Sequence, residues 1–396
     1  MNNLQKLAQM LVLRLVLTKS VALAALIIIS SPPARAQSIE KISFDNTDST
    51  DGYYLAVSPQ SRNIRGVVVL LSSFLPPDIL LTETKLHSVA YTNDLLFIAV
   101  STKQKLYADE VAVNRINSIL KDINNRYLVS AQPLALIGYD EAGNIALRYT
   151  ELAYEFPNRT IIQPNAVIGV DAPVDLLALW RWSERQIKKN FWPGAVGDAK
   201  YYLETMTREN GAVSANPDRY KQLTPFFKDA DSTGNEKYLK DVAVRLYYDT
   251  DIEWQISNRR NSYYDTKYPD GSELINRLLL QGSKSAEFVS STRKGVRNNG
   301  LRHPSTISIV DEVDCIQWIK TIFGIFDPVN WKRPYSLMVP REWNVELFAL
   351  PPDFAYTMNF KGIEDLRFAP GWGDSTRADY WSYAYLWWLD DTQTID

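Results

Sequence analysis

The sequence predicts an α/β protein: a doubly wound, mostly parallel eight-stranded sheet with a helical insertion, followed by a small aromatic-rich C-terminal domain. Three observations predict it. Eight short segments read as strands, and helical segments separate the later ones. Several of those strands are unbroken apolar runs, the pattern of strands covered on both faces. From about residue 330 the chain changes character and crowds Trp and Tyr into its last sixty residues.

Residues 1–36 read as an export signal. Arg14 and Lys19 precede an apolar run at 21–29, and Ala34-Arg35-Ala36 supplies a small-x-small cleavage site before Gln37. An uncleaved anchor is the alternative, and it is the one route to a membrane in this chain. The expected location is the bacterial cell envelope, periplasmic or secreted. One cysteine, Cys315, cannot form an intramolecular disulfide, so folding rests on packing.

Within 37–325, segments 39–44 and 53–57 read as an antiparallel edge hairpin joined by a turn-rich stretch at 45–52. Segments 66–71 and 95–100 are continuous apolar strands. Residues 103–126 carry Val111, Ile116, Ile119, Leu120 and Ile123 at helical spacing. Strands follow at 134–138 and 166–170, with a helix between them at 143–156. The insertion, 173–241, is helical and broken at 192–194 and 231–234. Strands resume at 242–248 and 286–290, with a helix at 272–280 and a last one at 311–323. That last helix carries Cys315, Trp318, Ile319, Ile322 and Phe323 on one apolar face, so Cys315 is expected in the core. His87 is expected as a partly exposed structural residue. The segment from Asp171 to Asp175 reads either as a ligand contact or as a strand end entering a helix.

With 43 basic and 46 acidic residues, the net charge of −3 offers no footprint for nucleic acid. Only two histidines, His87 and His303, and one cysteine exist, so no metal site and no cofactor are expected. A small-molecule, carbohydrate or protein ligand stays open.

The chemically informative stretch is Gly138-Tyr139-Asp140-Glu141-Ala142-Gly143, at a strand-to-helix turn. It resembles the nucleophile elbow of the α/β-hydrolases, Gly-x-Ser-x-Gly, in which small residues let strand and helix approach closely. Gly138 and Ala142 hold the small positions, but Asp140 stands where the serine belongs. The order of elements over about 38–325 is similar to that family as well. The resemblance implies an acid after a later strand, here Asp249 or Asp251, and a histidine before the final helix, here His303. Ser72, Ser73 and Glu141 are its oxyanion-hole candidates, although Pro76 and Pro77 deprive the first loop of N–H donors.

Three readings stay open. Asp140 is a carboxylate nucleophile, as in the haloalkane dehalogenase and epoxide hydrolase branches, with His303 activating water. Alternatively, the site has decayed into that of a non-catalytic binding protein. In the third, Asp140 caps its helix through its side chain. The C-terminal aromatics resemble small domains of uncharacterised exported bacterial proteins, and Trp372, Trp381 and Trp388 are candidates for a carbohydrate- or protein-binding surface.

Overall fold

The computed structural model describes residues 37–45, 52–230, 232–325, 337, 339–340, 342–350 and 362–389. The segment 1–36, expected as an export signal, lies outside these residues, as do 335, 336 and 338 of 335–340, which also reads as a strand; 337, 339 and 340 are not in one. No helix among the described residues is long and apolar enough to cross a membrane.

All eight expected strands form, within a residue or two of their expected ends: β1 (Ile39–Ser43), β2 (Tyr53–Val57), β3 (Gly66–Ser72), β4 (Leu95–Ser101), β5 (Leu134–Tyr139), β6 (Ala166–Val170), β7 (Ala243–Asp249) and β8 (Ala286–Ser291). They make one sheet in the order β1-β2-β4-β3-β5-β6-β7-β8. β1 pairs antiparallel with β2, and β2 with β4; every other pairing is parallel. This is the doubly wound, α/β-hydrolase-like architecture expected above. Its apolar runs split by the two-residue period of a strand: Leu96, Ile98 and Val100 face one core layer, and Leu95, Phe97 and Ala99 the other.

Ten helices are described: α1 (Pro77–Thr82), α2 (Leu86–Thr92), α3 (Glu110–Tyr127), α4 (Glu141–Glu155), α5 (Leu176–Lys189), α6 (Pro193–Asn210), α7 (Pro217–Leu223), α8 (Ile252–Arg259), α9 (Tyr268–Leu280) and α10 (Glu312–Ile322). α3, α4 and α9 pack on one face of the sheet, and α1, α2 and α10 on the other. α3 begins later than its periodicity suggests. Lys103 and Gln104 adopt positive φ, and the Asp109 side chain accepts from Ala112 N, fixing the start there. The insertion holds α5, α6 and α7, which close a small core of their own around Leu179, Tyr202, Met206 and Tyr220. Cys315 is fully buried, and burial pushes its thiol up to about 12. His87 is a correction: it is buried rather than partly exposed, and packs 6.2 Å from Phe97.

Near the C-terminus, β9 (Asn344–Leu350), β10 (Gly362–Phe368) and β11 (Tyr383–Leu389) form an antiparallel sheet in the order β11-β10-β9. Ile363 joins the main core layer beside α2 and α10. β9 was not foreseen, because its alternation is interrupted by acidic and small residues.

Candidate active site

The sharp turn between β5 and α4 is set by close packing. A Cβ on Gly138 would collide with the backbone of Ala142, and one on Gly143 with the Ala172 side chain. Those glycines bring the first turn of α4 down against β5 and β6. Asp140 sits at the apex with φ 55° and ψ −126°, a conformation unfavourable for a residue bearing a Cβ. Two backbone bonds hold it there: Asp140 N donates to Val170 O at 2.9 Å, and Gly143 N to Asp140 O at 2.8 Å. The turn between β5 and α4 is therefore a strained, close-packed one with Asp140 at its apex.

Its carboxylate does not cap α4, since no side-chain cap bond forms. Its partner is Lys267, at the entry to α9. The Lys267 ammonium donates to Asp140 Oδ1, to Asp171 Oδ2 at 2.9 Å and to Asp171 O at 2.8 Å. Burial alone would lower the pKa of Lys267, but Asp140 and Asp171 outweigh it and hold the ammonium charged. Lys267 was absent from the sequence-based candidates. Two adjacent acids on a close-packed turn require a nearby cation; which one is invisible at a separation of 127 residues.

His303 lines the same cavity as Asp140. No hydrogen bond or ion pair joins the two among the described residues. Ser305 N donates to His303 Nδ1 at 3.1 Å, and the ring meets Trp254 edge-on at 5.4 Å. Nδ1 stands at the same 3.1 Å from Ser305 O, to which the other tautomer donates, so either ring nitrogen can carry the proton. Burial, then the charges of Arg297 and Arg259, lower the imidazole pKa to about 4, so the ring is neutral at pH 7. A relay base needs its Nδ1–H on an acid, whereas Nδ1 here meets the backbone of Ser305.

The two acids expected behind His303 are engaged elsewhere. Asp249 accepts from Arg293 N, Lys294 N and Gly295 N at 2.7–2.9 Å, and pairs with Arg302 at 2.8 Å. Asp251 caps α8 through Trp254 N at 3.0 Å and accepts from Arg302 at 2.9 Å. Both clamp the 293–302 loop, and neither orients His303. The expected constellation of Asp140, His303 and Asp249 or Asp251 is thus not assembled.

The oxyanion-hole candidates are corrected too. Ser72 Oγ accepts from Leu75 N, and Ser73 Oγ donates to Lys105 O while meeting Thr102 Oγ1. Both side chains are buried, with Ser72 accepting within its own turn and Ser73 tied to the loop after β4. The Glu141 side chain is buried under α6, where Tyr202 OH donates to it, and its Oε2 has no partner. Burial, then the charge of Asp140, push Glu141 up to about 8, so it is protonated at neutral pH. Asp175 is a helix cap, accepting from Leu177 N and Ala178 N, while Asp171 is a ligand of Lys267.

Asp140, His303 and Lys267 border a cavity of about 330 Å³ roofed by α5 and α6 of the insertion. At the C-terminal sheet, the three tryptophans differ. Trp381 is 60% exposed, whereas Trp372 and Trp388 are half-buried. Trp372 stacks on Trp381 at 5.1 Å and 15°. Tyr383, Tyr385 and Trp387 alternate along β11 as its exposed residues.

No family model matches this chain, and no curated protein matches it. Among solved structures, it is similar to esterase B from Lactobacillus rhamnosis, with 8% identity over 81% of this chain and 96% of the other at a TM-score of 0.47. It is similar to the MPT51 protein of Mycobacterium tuberculosis, with 12% identity over 73% and 99% at 0.44. A fungal esterase from Rhizomucor miehei gives 11% identity over 73% and 86% at 0.46. No residue role passes from them to this chain.

Proposed function

We propose that this chain is an exported, non-catalytic ligand-binding protein built on a hydrolase-like sheet, with its ligand held between the elbow and the helical insertion. The observation that carries this reading is the Lys267 ammonium seated on the Asp140 carboxylate. An ion-paired carboxylate is a weaker nucleophile, and no acid among the described residues bonds to His303 to orient it as the base that hydrolysis of an acyl-aspartate needs. The cavity remains open and polar, within the range of volumes that small ligands occupy.

The hydrolytic alternative has one observation in its favour. A non-glycine residue is kept in the strained φ and ψ of a nucleophile elbow, and such strain concentrates at functional sites. The two readings separate in ¹⁸O-water. The purified mature chain is incubated with short esters, epoxides and haloalkanes, and the Asp140 peptide is then weighed. The binding reading expects no product and no label. Product together with ¹⁸O in Asp140 would establish the carboxylate as nucleophile and reject it.

A further inference from the structure

Six cationic side chains border the cavity, and their pairing is uneven. Arg181 lies on Asp229 at 2.7 Å, Arg185 on Asp265 at 2.9 Å, Lys228 on Asp270 at 3.0 Å, and Lys267 on Asp140 and Asp171. Arg259 and Arg297 have no acidic partner among the described residues. Arg259 is half-buried between two indoles, its guanidinium 3.5 Å from the Trp192 ring centre and 4.7 Å from that of Trp254. Among the described residues its side-chain hydrogen bond goes to Asn258 O at 3.3 Å. The aromatic faces hold the fork in place without neutralising it. Burial, then the nearby charge of Arg297, lower the Arg259 pKa, so the two guanidiniums feel one another. Two like charges facing one cavity are a cost that an anion between them removes.

The same cavity also carries carboxylates. Asp140 and Asp171 hold the ammonium of Lys267, and Asp198 lines the wall beside them. An acid group is attracted to Arg259 and Arg297, whereas ligand hydroxyls find carboxylate acceptors. A ligand that joins one acid group to several hydroxyls satisfies both kinds of lining.

We propose that Arg259 and Arg297 bind the carboxylate of a small polyhydroxylated acid, a hydroxy acid or acidic sugar, whose hydroxyls contact the carboxylates, Asp140 among them, that line the same cavity. This deepens the binding reading and rests on it for the location of the site. It assigns the elbow carboxylate to recognition.

The test is calorimetric titration of the full mature chain with glycerate, gluconate and glucuronate, against glucose and acetate as controls, at low and high salt. At least one polyhydroxylated acid is expected to bind, more tightly than acetate, and more weakly as salt rises. Glucose, which lacks the acid, is expected not to bind at the same concentrations. Arg297→Gln is expected to weaken binding by about tenfold or more, as for loss of a charge-assisted hydrogen bond. Arg259→Gln should do the same, while Arg259→Lys, which keeps the charge, should lose less. Arg297 is exposed, so its replacement leaves the fold intact and guards against misfolding of the Arg259 variants. The proposal is overturned by binding of glucose as tight as that of glucuronate, by unchanged affinity in Arg297→Gln, or by no binding of any of the three acids. Turnover with label in Asp140 would sink the non-catalytic reading separately, leaving the anion preference to stand or fall on this titration.

Discussion

The turn at Asp140 and the loops at Asp249 and His303 lie at the C-terminal ends of neighbouring strands, where open α/β sheets place their ligands. They are built in opposite ways. The turn has a strained apex, a glycine at each close approach and a bond to β6. The loops carry the residue types that the sequence resemblance implies but not the contacts. Asp249 and Asp251 hold Arg302 and the 293–295 backbone, and His303 is bonded to Ser305. The difference teaches that the elbow has two separable causes. Its shape answers to strand–helix packing, which Gly138 and Gly143 enforce whatever sits at position 140. Its chemistry needs a charge relay, which no packing constraint preserves.

The comparison can be broken most forcefully at its packing half. Gly138→Val should cost about 3 kcal/mol or more, because the added atoms meet the Ala142 backbone, which cannot yield. Urea denaturation measures this, and a loss under about 1 kcal/mol would mean that the turn is not held by close approach. Next comes the cation. Lys267→Met strands Asp140 and the buried Asp171 without a counter-charge and should cost about 2–3 kcal/mol, less than for a fully buried triad because Lys267 and Asp140 are partly exposed. Stability unchanged within about 0.5 kcal/mol would show the pairing to be incidental.

Glu141 sharpens the comparison through pH. Its folded pKa is raised to about 8 from an ordinary 4.5. The raised value makes its contribution full below about 4.5 and lost as pH climbs through about 8, at up to about 1.4 kcal/mol per pH unit in between. Glu141→Gln should therefore flatten this fall in melts taken between pH 5 and pH 8.5; identical slopes for both proteins would contradict the assignment. The smallest effect belongs to Asp140→Asn, about 0.5–1 kcal/mol. Asparagine tolerates positive φ, keeps an oxygen for Lys267 and leaves Asp171 as counter-charge. A larger loss than that of Lys267→Met would reverse the proposed roles.

The sheet was legible because each strand is an apolar run or a clean alternation, bounded by turn residues. The elbow was legible because its small residues are local in sequence. The acid and base positions were legible in order but not in partnership. Nothing in Asp249-Thr250-Asp251 or Arg302-His303 reveals that the arginine takes the acids away from the histidine. Lys267 was hidden for the same reason: it reaches Asp140 only through the tertiary packing of α9 beside β7. His87 misled because its flanking polar residues suggested a surface, whereas Phe97 and the α2 layer enclose it.

The central claim is that the Asp140 carboxylate belongs to Lys267. A double-mutant cycle with Asp140→Asn and Lys267→Met, read by urea denaturation at neutral pH, measures that bond without reference to any ligand. The predicted coupling is above about 1 kcal/mol, as expected for a partly buried charged pair, with the double variant more stable than the sum of the single losses. Losses that add within about 0.5 kcal/mol would mean that the two groups are independent, and that the carboxylate is free for other chemistry.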